Sequence, residues 1–136
     1  MRRLIALALL LGSAAASAAT VEVATGDWNG LPAMKARGSE SISSMAIANI
    51  HDVIRNGQCT LPGQSKRKVD LTIPFAAQFA PNGTLNRVIL PNMQCQRIEA
   101  IMGRVLLDLI ESGEYQPTGE NPEGWYRSEI SFSSSV

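Results

Sequence analysis

The sequence predicts an α+β domain in which a small antiparallel sheet packs on two helices, in the order α-β-β-α-β. Three observations predict it. Val69 to Phe79 alternates apolar and polar residues as far as the turn Pro81-Asn82-Gly83, after which a short strand-like run, Leu85 to Leu90, returns. Ile98, Ile101, Met102, Val105, Leu106, Leu109 and Ile110 then recur at helical spacing before Gly113. A third alternating run, Trp125 to Ser133, closes the pattern.

Residues 1–18 read as a secretory signal peptide. Arg2 and Arg3 precede the apolar run Leu4 to Leu11 and the small-residue stretch Ala16-Ser17-Ala18, which places cleavage between Ala18 and Ala19. The run is shorter than the roughly 20 apolar residues that span a bilayer, and no cysteine follows for a lipid anchor, so no stable membrane insertion is expected after cleavage. Processing removes two of the 12 basic residues and none of the 12 acidic ones, and an acidic mature chain argues against nucleic acid as a partner. The expected compartment is the periplasm.

Residues 19–38 form an irregular segment on this reading, because Asp27-Trp28-Asn29-Gly30-Leu31-Pro32 is poor material for regular structure. Trp28 and Leu31 are expected to fold back over the core, with a ligand contact as the other role open to them. The domain proper spans 39–136. Its first helix is expected over 41–56, capped by Ser39 or Ser41, with Ile42, Met45, Ala46, Ile50, Val53 and Ile54 on one face and Asn56-Gly57 as the stop.

Cys59 and Cys95 are the two cysteines of the chain. In an oxidising compartment they are expected to pair, closing a loop of about 37 residues at a gain of roughly 4 kcal/mol. There is no Cys-x-x-Cys for redox chemistry and too few cysteines and histidines for a zinc site, so neither metal nor cofactor is expected. The basic run Lys66-Arg67-Lys68 fits solvation of a strand start better than a phosphate site at this net charge.

The first strand puts Val69, Leu71, Ile73, Phe75, Ala77 and Phe79 on one face. Pro74 marks an edge stretch, a bulge or a break within it, since proline cannot donate to a ladder. Asn82 and Gly83 tolerate the positive φ of a tight turn, Pro91 ends the second strand, and the second helix is expected from about Gln94 to Ser112 with Gly113 as its left-handed cap. Tyr115-Gln116-Pro117 and a polar loop lead into the third strand.

With these residues in view, the stretch Val69 to Phe132 resembles the C-terminal domain of TonB-type energy transducers and their TolA-like relatives. The matching pieces are the alternating strand before Pro81-Asn82-Gly83, the short strand after it, the helix, and Tyr115-Gln116-Pro117 ahead of the last strand. The resemblance implies a binding or adaptor domain without catalysis. Its last strand would offer an edge to which a peptide of a protein partner, an outer-membrane receptor or another envelope protein, adds as a further strand. It points to Trp125, Tyr126, Arg127, Ser128, Glu129 and Ile130 as partner-binding residues. An inner-membrane helix and a long proline-rich span belong to such transducers and are not found in this sequence, so energy coupling by this chain alone is not expected.

Candidate catalytic groups are few. His51 is the one histidine, the serines lack a Gly-x-Ser-x-Gly elbow, and Glu99, Asp108, Glu111 and Glu114 fall largely on the solvated side of the second helix. Glu120 and Glu123 could be paired for glycoside cleavage only from a flexible loop, a poor platform for positioning acids. The sequence therefore predicts no enzyme, with a periplasmic inhibitor or assembly factor as the alternative to an adaptor and a small secreted hydrolase behind both.

Overall fold

A computed structural model describes residues 18–38, 42–59, 61 and 67–135. In chain order the elements are β1 (Thr20–Val23), β2 (Lys35–Ala36), α1 (Ser44–Arg55), β3 (Lys68–Phe79), β4 (Leu85–Leu90), α2 (Gln96–Glu111), β5 (Tyr115–Gln116) and β6 (Gly124–Ser135). Most of the signal-peptide stretch, the expected caps Ser39 and Ser41, and Lys66 of the basic run lie outside the described residues. No described helix is long and apolar enough to cross a membrane.

The α+β class holds, but the sheet is mixed where an antiparallel one was expected. Its strand order is β1-β4-β3-β6; β4 and β6 flank β3 antiparallel, and β1 adds to β4 in parallel. β2 and β5 form a separate antiparallel pair of two residues each. The segment 19–38 is thus not irregular throughout: it supplies both β1 and β2. Neither is visible from propensity, because strands this short exist only where β4 and β5 already present partners.

β3 carries the sheet. Val69, Leu71, Ile73, Phe75, Ala77 and Phe79 are buried towards the helices as their alternation predicts, and β6 pairs with every residue from Lys68 to Phe79. Pro74 does not break the strand. The residues of β3 that pair across Arg127, Glu129 and Ser131 turn their main-chain groups away from β6, and on that side the β4 ladder stops at Ala76. The missing donor of Pro74 therefore faces a stretch that has no ladder to lose, the edge situation among the three expected. At the hairpin turn the Gly83 amide donates to the Ala80 carbonyl and the Ala80 amide to Thr84; Gly83 alone takes positive φ, while Asn82 instead accepts from the Thr84 amide through its side chain.

α1 begins later than expected, at Ser44, with Ser43 as its cap: the Ser43 hydroxyl accepts from the Ala46 amide at 3.1 Å. Ile50, Val53 and Ile54 are buried as read, whereas Met45 in the first turn is 73 % exposed and Met34, overlooked in the N-terminal segment, is buried. Both helices end in the same way. The Glu114 amide donates to the Leu109 carbonyl and Gly113 to Ile110, with the matching pair of bonds after α1 from Gln58 and Gly57. Cys59 and Cys95 form the expected disulfide, tying the end of α1 to the start of α2 with Cα atoms 5.6 Å apart. α2 also lies so close to β1 that a Cβ on Gly103 would stand 2.7 Å from a Val21 methyl.

Candidate functional site

β6 is one outer strand of the four-stranded sheet, and its backbone alternates between two neighbours. The Arg127 amide donates to the Pro32 carbonyl at 2.9 Å, and the Arg127 carbonyl accepts from the Met34 amide at 2.8 Å. Both Arg127 groups therefore point away from β3. With an unbroken ladder to β3, the same must hold for Glu129, Ser131, Ser133 and Ser135, whose side chains share the face opposite the helices. Among the described residues, no main-chain group pairs with the outward edge of these four. The Glu129 carbonyl accepts from the Tyr115 hydroxyl at 3.5 Å.

The six residues suggested as a partner surface do not share one face. Tyr126 and Ile130 are buried towards the helices, Tyr126 edge-on to Phe79. Trp125 lies on the opposite face, 5.3 Å from the Arg87 guanidinium, which two hydrogen bonds also tie to Glu22. The hydrogen bonds to Glu22 raise the Arg87 pKa further above its usual value against the opposing effect of desolvation, so the cation is fixed. At Arg127 the backbone edge is already taken by the chain itself, and the Arg127 Nε donates to the Leu31 carbonyl. Ser128 is half-buried and Glu129 exposed. The aromatic pair Trp125 and Tyr126 thus stands on two faces, and the edge without main-chain partners among the described residues begins at the Glu129 amide, two residues beyond the point where Pro32 to Met34 occupies it.

Beside that point lies a cavity of about 400 Å³ on the face away from the helices, lined by Asp27, Trp28, Pro74, Arg127 and Glu129 among others. Trp28 is half-buried and its indole covers Gly26, where a Cβ would meet the ring nitrogen at 2.9 Å. Trp28 therefore lines a cavity, and contrary to expectation neither it nor Leu31 joins the buried core cluster. The sequence leaves a ligand contact at Trp28 open but gives no sign of the cavity, because nothing local joins residues 27–29 to Pro74 and Glu129.

No family model, curated protein or solved structure matches the chain.

Among the remaining polar groups, His51 and Glu99 are buried. His51, buried in α1, shares a 3.0 Å hydrogen bond between its Nε2 and the Ser134 hydroxyl, while its Nδ1 has no hydrogen-bond partner among the described residues. A serine beside a histidine is half of a nucleophile–base pair; among the described residues no third group orients this imidazole from its other nitrogen. Glu99 is not on the solvated side as expected: it is buried and accepts from the Met93 amide at 2.7 Å, closing the loop ahead of α2. Glu120 and Glu123 are exposed on the loop before β6. Among the described residues no group of three or more His, Cys, Asp or Glu is arranged to hold a metal ion.

Proposed function

We propose that this protein is an exported binding domain that recognises an extended segment of a protein partner by adding it as a strand to β6, between Glu129 and Ser135. One observation carries the reading. Pro32 to Met34 already makes a parallel bridge to Arg127, the type of contact a partner would continue along the open groups that follow. The resemblance to TonB-type C-terminal domains points the same way, since there the last strand is the one that takes a peptide. A leader of the secretory kind and a disulfide fit an oxidising compartment such as the periplasm, and an envelope adaptor is the role that unites these features.

Capture from a periplasmic extract tests it. Glu129→Pro and Ser131→Pro each remove a donor that points outward and leave the ladder to β3 without a missing bond. Both variants should stay folded and lose the partner. Proline at Arg127 is the poorer probe, because it also deletes the bond to Pro32. Undiminished capture by both folded variants would refute the edge and turn attention to the loop from Thr118 to Gly124. Recovery of a hydrolase in place of a receptor or assembly component would favour an inhibitor over an adaptor.

A further inference from the structure

Strand addition supplies affinity through the main chain, and pockets beside the edge decide which side chains the added strand carries. The cavity lined by Asp27, Trp28, Pro74, Arg127 and Glu129 lies at the start of the open edge. Any residue added opposite Glu129 projects its side chain onto the same face as Glu129, with Cβ atoms about 5 Å apart. That face is the one onto which the cavity opens.

We infer that the cavity is a side-chain subsite selecting a basic residue, Lys or Arg, in the partner strand at the position opposite Glu129. The inference rests on the strand-addition reading. Its argument is charge complementarity. Two carboxylates, Asp27 and Glu129, line the cavity against one guanidinium, and the Arg127 Nε is already committed to the Leu31 carbonyl. Trp28 offers a half-exposed indole, the best of the aromatic faces for a cation, and Pro74 gives an apolar wall for the methylene stem of a long side chain. The Asp27 carboxylate accepts from the Asn29 amide at 3.0 Å, which fixes its orientation while leaving its second oxygen for a cation. An acidic residue at this position would meet two carboxylates against one guanidinium.

Three seven-residue peptides of alternating Thr and Val, with Lys, Leu or Glu at the centre, are titrated into the isotope-labelled protein by NMR. The Lys peptide should bind about tenfold more tightly than the Glu peptide, with Leu between them. Its side-chain methylene resonances should move upfield over the indole, and Trp28→Leu should abolish that shift. In Asp27→Asn/Glu129→Gln the Lys-to-Glu ratio should fall towards one while the affinity for Leu is kept. Equal binding of all three peptides, with the Ser131 and Ser133 amides perturbed, would overturn the subsite and leave the edge reading standing. Failure of every peptide to perturb those amides would overturn both.

Discussion

Reducing the Cys59–Cys95 bridge is the perturbation whose magnitude the structure fixes best. The two residues are 36 apart in sequence, and the loop they close contains β3, the turn at Gly83 and β4, so the bridge restrains the central hairpin in the unfolded chain. A loop of that length corresponds to about 4 kcal/mol of lost chain entropy at 25 °C. Replacement by Ser adds to this at Cys95, which is 3 % exposed and packs in the core, because a hydroxyl is buried there. A domain of this size has about 5–15 kcal/mol in total. Urea unfolding followed by far-UV circular dichroism should show a loss of about 4 kcal/mol on reduction of the native protein, and a somewhat larger one in Cys59→Ser/Cys95→Ser, with a mixed-fold spectrum retained. Loss of less than about 1 kcal/mol on full reduction would refute the chain-entropy reasoning. Two free thiols titrated in native protein under denaturing alkylation would refute the bridge itself.

Gly103→Ala should cost about 1–2 kcal/mol by driving a methyl into Val21, and Val21→Ala should relieve most of that cost; strictly additive losses in the double-mutant cycle would contradict the close approach of α2 to β1. Ser134→Ala removes the hydrogen-bond partner of a buried imidazole and should cost about 1–3 kcal/mol in urea unfolding, a loss largely absent in a His51→Leu background; an unchanged midpoint would show that the pair is not formed. Mass spectrometry of exported protein should find an N-terminus at or near Ala19, and a full-length form released only by detergent would sink the leader reading.

The parts legible in the sequence are those whose signals are local. Pro81-Asn82-Gly83 and Gly113 carry their turn chemistry with them, and the alternation of β3 reports a face buried by helices. Pro74 admitted three outcomes, since the choice depends on where β4 stops, a fact written some fifteen residues away. The serine-rich run before α1 suggests Ser39 or Ser41 as the cap, and Ser43 takes that place because its hydroxyl reaches the Ala46 amide. β1, β2 and the bridge at Ala33 depend on distant partners, and Glu99 was placed on the helix surface because the loop that folds over it is not helical. The site was half legible. Alternation alone forbids Trp125 to Ile130 from facing one partner together, and separating odd from even positions would have set Arg127 and Glu129 apart from Tyr126 and Ile130. That the chain's own Pro32 to Met34 holds the edge at Arg127 is a contact across ninety or so residues, with no local trace.

Amide exchange along β6 tests the central claim most directly. In the free protein the amides of Ile130, Phe132 and Ser134, which face β3, should exchange slowly, while those of Glu129, Ser131 and Ser133 exchange fast. In the complex with a captured partner the outward amides of Ser131 and Ser133 should become protected, so that slow exchange runs through every residue of the strand. Saturated binding that leaves Ser131 and Ser133 exchanging as fast as before would show that the partner sits elsewhere.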